Sequence, residues 1–369
     1  MDNSKLYEAN FDRIKKTMAF EKTDRVPVLP TGNAWCTRPI GMKLADYCAN
    51  PVASVDVHLK CWHTVTPMVD ALQCVVYDTN FLKPQWLSNV RVPGVDLPED
   101  ELWQVEENEL MTVEDYQKII DGGFYNWLGP FLVEKLGDPL TALQPTIASG
   151  ASAIEKVIQA GIVPLVPAIV TIPFEVFCGG RSMIKMMMDM YKRPDLLSEA
   201  LEVAFKEMLE ANRGLMRAMK PVGCWVGGWR GASGLMSPKM WNRFVWPHFK
   251  ATVEMCIEEG VIPVLHLDSD WTNSLEYFRE LPKYKCIMSP DGATDIHKAR
   301  EAMDGHMAIL GDVPAAMLAF SQPQEVSDYV KGLIKEFGGK GYMVSSGCDI
   351  PFNAKIENVE AMIRAAHEV

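Results

Sequence analysis

Eight short apolar runs recur along the chain, and each is followed by a segment with helical periodicity. The runs are residues 25–30, 72–78, 163–170, 224–229, 261–268, 285–290, 307–313 and 341–348. Because polar and apolar residues do not alternate in them, they are typical of parallel strands that are buried on both faces. Eight such strands alternating with helices predict an α/β fold, a (β/α)₈ TIM barrel, with an open doubly wound sheet as the alternative.

The segments between the runs complete this prediction. Residues 199–215 carry apolar side chains at a three-four spacing, which indicates an amphipathic helix. The residues before the first run predict an N-terminal helical extension. The segment after the second run, residues 79–130, is far longer than one helix, and we interpret it as a long insertion over the barrel mouth. No linker or internal repeat is visible, so residues 1–369 are predicted to form a single domain.

Charge and cysteine usage argue against several classes of protein. Acidic residues outnumber basic ones by 48 to 36, so general binding to nucleic acid or to an anionic membrane is not expected. No run approaches 18 apolar residues, and the first residues lack the layout of a signal peptide. The nine cysteines are an odd number without a CxxC pair, which indicates reduced thiols. We therefore expect a cytoplasmic protein.

Ionisable residues stand at the ends of six of the eight predicted strands, where TIM barrels place their active sites. His266 and Asp268 are two residues apart, so both point to one side of an extended strand. Cys348 follows strand eight. Imidazole, carboxylate and thiolate together suit Zn²⁺ with one open position. The alternative is a hydrogen-bonded histidine and a buried cysteine without a metal, and spacing alone leaves both open.

Further motifs extend along nearly the whole chain. Residues 20–28, 234–241, 264–268, 310–313, 346–349 and 357–359 read FEKTDRVPV, GLMSPKMW, VLHLD, LGDV, SGCD and ENV. In this order they resemble the uroporphyrinogen decarboxylase superfamily. The resemblance implies a (β/α)₈ barrel, which agrees with the count of strands.

The superfamily has an arm of decarboxylases and an arm of cobamide-dependent methyltransferases. The decarboxylases carry an arginine-rich loop after strand one and a histidine near strand eight, whereas this chain keeps only Arg38 and has Cys348. The methyltransferases bind Zn²⁺ through His-x-Cys on strand five and a cysteine on strand eight. His266 and Cys348 match two of these positions, and Asp268 stands in place of the third. The resemblance is therefore closer to the methyltransferase arm.

The departure at Asp268 indicates the kind of methyl donor. A carboxylate is a harder ligand than a thiolate and leaves zinc a stronger Lewis acid. Residues 266–271 also resemble the HxDxxW pattern of members that demethylate methoxylated compounds. The resemblance implies an O-demethylase methyltransferase I-like enzyme, which moves methyl from a small methoxylated aromatic substrate to a Co(I) corrinoid. Because the cobalamin-binding DxHxxG pattern is missing from the sequence, a separate corrinoid protein would supply that cobalamin.

Residues near the predicted mouth receive candidate roles. The candidate catalytic residues are Asp291, a fourth ligand or proton donor, with Arg230 and Asp78. The candidate substrate-binding residues are Trp229, Trp35 and Asn33.

Two other functions stay open. One is a methylcobamide:thiol methyltransferase, which runs the transfer toward a thiol. The other is a metal-free decarboxylase of a polyacid that uses Asp78 and Arg38. The sequence also leaves open whether the chain is a monomer or a homodimer.

Overall fold

The structure is a computed structural model that describes residues 2–369. Its strands are β1 (Ala71–Leu72), β2 (Asn89–Arg91), β3 (Gln104–Glu106), β4 (Val163–Pro164), β5 (Ile169–Val170), β6 (Gly223–Gly228), β7 (Ile262–Leu267), β8 (Ile287–Pro290), β9 (Ala308–Leu310) and β10 (Tyr342–Met343). Its helices are α1 (Asn3–Met18), α2 (Leu44–Ala49), α3 (Ser54–Val65), α4 (Leu82–Trp86), α5 (Val113–Gly122), α6 (Phe124–Leu136), α7 (Pro139–Gln159), α8 (Pro173–Arg181), α9 (Met183–Lys192), α10 (Pro194–Met219), α11 (Pro238–Phe244), α12 (Trp246–Glu258), α13 (Ile296–Met303), α14 (Ala315–Phe320), α15 (Pro323–Glu336) and α16 (Ile356–Ala365). Short 3₁₀ helices span Trp35–Thr37, Pro51–Ala53, Thr79–Phe81, Ser233–Leu235 and Thr272–Glu280. No helix in the described range is long and apolar enough to cross a membrane.

The strands close into a parallel barrel. Six of them form one sheet in the order β10, β9, β8, β7, β6 and β5, and β1 pairs with β4. The segment around Val28 joins these two sheets, since Val28 forms a parallel bridge with Val344 and its carbonyl accepts a hydrogen bond from the Asp70 N–H. The eight positions around this ring correspond to the eight apolar runs of the sequence. The predicted TIM barrel is therefore confirmed.

The third strand position is less regular than predicted. Instead of one strand over residues 163–170, the chain forms β4 and β5. The N–H groups of Leu165 and Val166 both donate to the Leu72 carbonyl, so a bulge ends the pairing with β1. Pro164 lacks an N–H and cannot extend the ladder. After the bulge the chain pairs with β6 instead.

Two apolar cores hold the barrel together. The inner core contains alternate strand residues, including Leu29, Ala71, Val163, Val264, Ile287, Leu310 and Met343. Ile14 and Met18 of α1 belong to the same cluster, so the predicted N-terminal helix closes the bottom of the barrel. Leu265 and Leu267 belong instead to the larger core between strands and helices. The side chains of β7 thus alternate between the two cores, as the pleat of a strand requires.

The predicted insertion reaches the carboxyl ends of the strands. Residues 79–130 contain α4, the antiparallel hairpin of β2 and β3, α5 and the first part of α6. The ring of Trp103 stacks on Tyr77, which follows β1, with 4.8 Å between ring centroids. Trp86 of α4 approaches Trp229, which follows β6, at the same distance. Both contacts lie beyond strand ends, so the insertion packs over one side of the barrel mouth.

Candidate metal centre

Strand β7 carries two of the predicted ligands to the mouth. Because Leu265 and Leu267 pack outward, the imidazole of His266 points into the barrel. Asp268 follows two positions later, and its Oδ1 lies 3.3 Å from His266 Nε2. Cys348 comes from the segment after β10, and its Sγ lies 3.5 Å from the same nitrogen. The three predicted ligands therefore come together, with their ligand atoms within 4.8 Å of one another.

Two of the three separations between these atoms match those of a tetrahedral zinc site. With metal–ligand bonds of about 2.0 to 2.3 Å, neighbouring ligand atoms in a tetrahedral site lie roughly 3.3 to 3.6 Å apart. Both distances measured from His266 Nε2 fall in that range. Three protein ligands also leave a fourth position for a substrate or water. The triad is thus a candidate metal site, and its donor set is one that suits zinc.

The triad also leaves buried polar atoms poorly satisfied. Within the described part of the chain, His266 Nδ1 makes no hydrogen bond, and Asp268 Oδ1 has the 3.3 Å contact with His266 Nε2 but no hydrogen bond of good geometry. Burial disfavours an imidazolium, but the Cys348 sulfur and the Asp268 carboxylate outweigh it and raise the pKa of His266 well above its usual value. Two electron-rich groups thus converge on one nitrogen. A cation at this place would be stabilised by the same groups.

The indole of Trp225 stacks on the imidazole of His266 from the side of the barrel interior. The ring of Trp225 on β6 stacks on the ring of His266, with 4.4 Å between centroids and an angle of 7° between planes. The register pairs Trp225 with Val264, so the indole starts one layer deeper in the barrel than the imidazole. Trp225 is not among the predicted site residues. Its place on β6, two residues before Gly227 and on the same inward side, is a signal that could have identified it.

Asp291 lies in the loop that follows β8. Its carboxylate accepts hydrogen bonds from the N–H groups of Ser269 (2.7 Å) and Ala293 (2.8 Å). Burial raises the pKa of Asp291, and the nearby Asp268 carboxylate raises it further. The side chain of Asp291 therefore links the loops after β7 and β8 beside the triad. Its predicted role as fourth ligand or proton donor stays a prediction.

Asn33 holds the loop that carries the thiol. Its backbone N–H donates to Asp349 Oδ1 (2.9 Å), and its side-chain amide donates to Oδ2 (3.3 Å). Burial raises the pKa of Asp349 to about 6. Because Asp349 directly follows Cys348, this clamp fixes the position of the sulfur. The side-chain oxygen of Asn33 is buried without a partner, so the residue retains an acceptor for a ligand.

Trp229 lies against the strand next to the triad. A Cβ at Gly227 would come within 2.2 Å of Cζ2 of the Trp229 ring, so the indole covers that glycine. Gly227 is the register partner of His266. Trp229 thus lies where the predicted substrate wall would stand.

Arg230, a predicted catalytic residue, contacts other parts of the chain. Its guanidinium donates a hydrogen bond to the Cys178 carbonyl (3.1 Å) of α8 and lies over the ring of Trp86 in the insertion.

The other two candidates, Trp35 and Asp78, make contacts that stabilise the fold. Trp35 is fully buried, its Nε1 donates to the Ala354 carbonyl, and its ring stacks on Trp62. It therefore does not offer the open flat face that the sequence suggested, because the surrounding core encloses the ring. Asp78 accepts hydrogen bonds from the Asn80 N–H and, at 2.6 Å, from the hydroxyl of Thr146. Its carboxylate caps the turn after the second strand position, and a catalytic role for it stays a prediction.

Glu175 of α8 is a further residue that the prediction missed. It is fully buried, and its carboxylate accepts hydrogen bonds from the loop that carries Trp229. Burial raises the pKa of Glu175 to about 7. A single acidic residue within the otherwise apolar and small residues 169–180 is the signal that could have identified it.

Two surface cavities of about 410 and 460 Å³ lie against outer helices, and neither is lined by the triad.

Comparison with known proteins agrees with the fold and gives the family. The model of the uroporphyrinogen decarboxylase (URO-D) family matches residues 133–369, which include all three triad residues. Among solved structures, a methyltransferase from Methanosarcina mazei is similar over 96% of this chain and 97% of its own, with a TM-score of 0.69 and 18% sequence identity, which shows a shared fold. No curated protein matches the sequence significantly. Since the family match covers well over half of its length, the chain belongs to the uroporphyrinogen decarboxylase family.

Proposed function

We propose that the protein is a zinc-dependent methyltransferase. It would move a methyl group from a small methoxylated aromatic substrate to the Co(I) corrinoid of a separate partner protein. The observation that carries this proposal is the triad of His266, Asp268 and Cys348, whose ligand atoms lie within 4.8 Å of one another at the barrel mouth. The structural likeness to a methyltransferase supports the same class of reaction.

The triad suits activation of an ether oxygen. Zn²⁺ held by these residues would supply a Lewis acid that stabilises negative charge on the oxygen as its bond to the methyl carbon breaks. Asp268 contributes a harder, less electron-donating ligand than the cysteine found at this place in related thiol methyltransferases. With only one thiolate in the set, the site favours polarisation of an oxygen over binding of a second sulfur. This ligand set supports our choice of an ether as the methyl donor.

The chain's own residues would bind and orient the donor. Trp229 is itself buried (7% exposed), but its ring packs against Gly227 on the strand beside His266, where it would form an apolar wall for a flat ring. The free side-chain oxygen of Asn33 can accept a hydrogen bond from a hydroxyl group on the donor. Asp291 is our candidate for donating a proton to the oxygen that leaves the methyl carbon, because burial raises its pKa and so favours its protonated form. Each of these roles is part of the proposal.

The methyl acceptor would come from outside the chain. The sequence lacks the DxHxxG pattern of corrinoid-binding domains, so we assign the corrinoid to a partner protein. All nine cysteines are free thiols, which suits the reducing compartment that a Co(I) acceptor requires. We accordingly place the reaction in the cytoplasm.

Reconstitution tests the proposal directly. The zinc-loaded protein is mixed with a guaiacol-type methoxyarene and a corrinoid protein reduced to Co(I), and methylation of the corrinoid is followed by its visible spectrum. We expect methylation only when all three components are present. Methyl transfer solely from the methylated corrinoid to a thiol would instead establish the thiol methyltransferase. Release of CO₂ from a polycarboxylate without any corrinoid would establish a decarboxylase.

A further inference from the structure

Glu175 makes an unusual set of contacts on α8. Its side chain is fully buried, and its two carboxylate oxygens accept hydrogen bonds from three consecutive backbone N–H groups. Oε1 accepts from Trp229 (2.9 Å) and Gly231 (2.9 Å), and Oε2 accepts from Arg230 (2.7 Å). The donors all belong to the loop after β6. One carboxylate therefore fixes the whole turn by which this loop leaves the barrel.

This turn sets the position of the aromatic ring beside the metal triad. The Trp229 indole lies between Gly227 and the ring of Trp86, whose centroid is 4.8 Å away. Gly227 lies directly opposite His266 in the register of β6 and β7. A shift of the Trp229 backbone would carry the ring along the strand that neighbours the triad. The contacts of Glu175 thus connect helix α8 to the wall of the candidate site.

The set of hydrogen bonds from the Trp229–Gly231 loop to Glu175, called the clamp below, requires a buried carboxylate, which costs free energy. Placing a carboxylate out of contact with water carries a large desolvation penalty, and hydrogen bonds to backbone N–H groups offset only part of it. The rise in the pKa of Glu175 to about 7, caused by burial and opposed by the three N–H groups, reflects that penalty. The nearby ionisable groups are Arg230 on the loop and Cys178 on the same helix. An apolar side chain would avoid this penalty but would leave the three N–H groups of the loop without an acceptor, so the carboxylate serves to keep the loop in one defined conformation.

We propose that Glu175 is a positioning residue, which holds the Trp229–Gly231 loop so that the Trp229 ring forms a fixed wall of the methyl-donor site beside His266. Glu175 does not contact the metal ligands, and it acts through the loop alone. The assignment depends on the proposed methyl transfer only for its kinetic readout. Its structural readouts are independent of activity.

The test uses the variant Glu175→Gln in the full-length protein labelled with 5-fluorotryptophan. The ten indoles are observed by ¹⁹F NMR, and the Trp229 signal is identified by its loss in Trp229→Phe. Gln keeps the size of the side chain but replaces one acceptor oxygen by an N–H₂ group, which faces a backbone N–H. We expect the Trp229 signal to shift or broaden, while the signal of the distant Trp62 stays in place. Zinc affinity should remain within about twofold of wild type.

Kinetics separate positioning from general stability. With the reconstituted reaction, Glu175→Gln should raise the KM for the donor by about 10- to 100-fold, since a displacement of about 1 Å in a substrate-positioning group can cost that much. Asp189→Asn is the matched control, because Asp189 is an equally buried carboxylate on α9 that bonds Arg181 and Tyr116. This control should lower stability but leave the Trp229 signal and the donor KM unchanged.

A second variant approaches the clamp from the loop. A Cβ at Gly231 would lie 3.0 Å from Glu175 Oε1 and 3.0 Å from Val245 Cγ1, so Gly231→Ala should press on the same contact. It should shift the Trp229 signal in the same way, and it decides the matter if Glu175→Gln does not fold. An unchanged Trp229 signal in a folded clamp variant overturns the proposal. The proposal is also overturned if the Asp189→Asn control changes the Trp229 signal as much as the clamp variant does. If no methyl transfer is detected in any protein, the NMR result still decides the role of Glu175, and only the proposed function fails.

Discussion

Loss of the Cys348 thiol is the most direct perturbation of the candidate metal centre. The sulfur is one of three ligand atoms, and it lies 3.5 Å from His266 Nε2. Four-ligand zinc sites bind with about 10 to 16 kcal/mol, so one ligand accounts for roughly 3 kcal/mol. We therefore expect Cys348→Ala to bind zinc about 100- to 1,000-fold more weakly than wild type, since each 1.4 kcal/mol corresponds to a factor of ten.

The fold should survive this change. Cys348 is only half-buried, so the variant loses one sulfur atom at the edge of the barrel mouth, at a cost of about 1 kcal/mol. For a chain of 369 residues that corresponds to a fall in Tm of about 1 to 2 °C in the metal-free state. The assay is a zinc titration against a chromophoric chelator, with zinc content measured by elemental analysis.

A neighbouring cysteine provides the matched control. Cys74 is also half-buried, lies near the carboxyl end of the second strand position, and is not part of the triad. Cys74→Ala should bind zinc as wild type does. The reasoning fails if Cys348→Ala retains wild-type affinity, or if the Cys74 variant loses as much affinity as the Cys348 variant.

Four further outcomes are expected. Asp268→Cys should keep zinc in elemental analysis but lose ether demethylation, and unchanged ether turnover would show that the carboxylate does not tune the metal. Gly227→Ala places a methyl group about 1.2 Å too close to the Trp229 ring (2.2 Å against an ordinary contact of about 3.4 Å), so it should destabilise the protein by about 1 to 3 kcal/mol and raise the donor KM while zinc binding is retained. Asp70→Ala removes a fully buried carboxylate at the opposite end of the barrel, which leaves Arg25 without a carboxylate partner while Arg13 keeps Asp24, so Tm should fall by about 4 to 6 °C without loss of zinc affinity. Burial raises the pKa of Asp312 from 3.8 to about 6, so the protonated side chain stabilises the fold by at most about 3 kcal/mol; this stabilisation is complete below pH 3.8 and is lost as pH rises through 6. Urea unfolding of Asp312→Asn across pH 4 to 7 should lack this pH-dependent fall in stability. An unchanged pH dependence would contradict the assignment.

The sequence alone predicted the barrel and the three residues of the candidate metal centre. Short uninterrupted apolar runs are typical of strands covered on both faces, and eight of them separated by helices favour a closed barrel over an open sheet. The ligands follow from local geometry, since residues two apart on one strand share a side and all parallel strands end at one face. His266, Asp268 and Cys348 therefore come together as predicted. The family match over residues 133–369 agrees with the motifs quoted from this part of the chain.

Only the tertiary structure decided what surrounds those ligands. Trp35 and Trp229 are both aromatic residues that follow a strand, yet the first is enclosed by the core and the second lies beside the triad strand. Trp225 and Glu175 act through partners 41 and 54 to 56 positions away in the chain, at His266 and in the Trp229–Gly231 loop. Periodicity reports which face of an element is buried, but not which element covers it. Stacking, clamping and enclosure depend on contacts between distant segments, and these exist only once the barrel has closed.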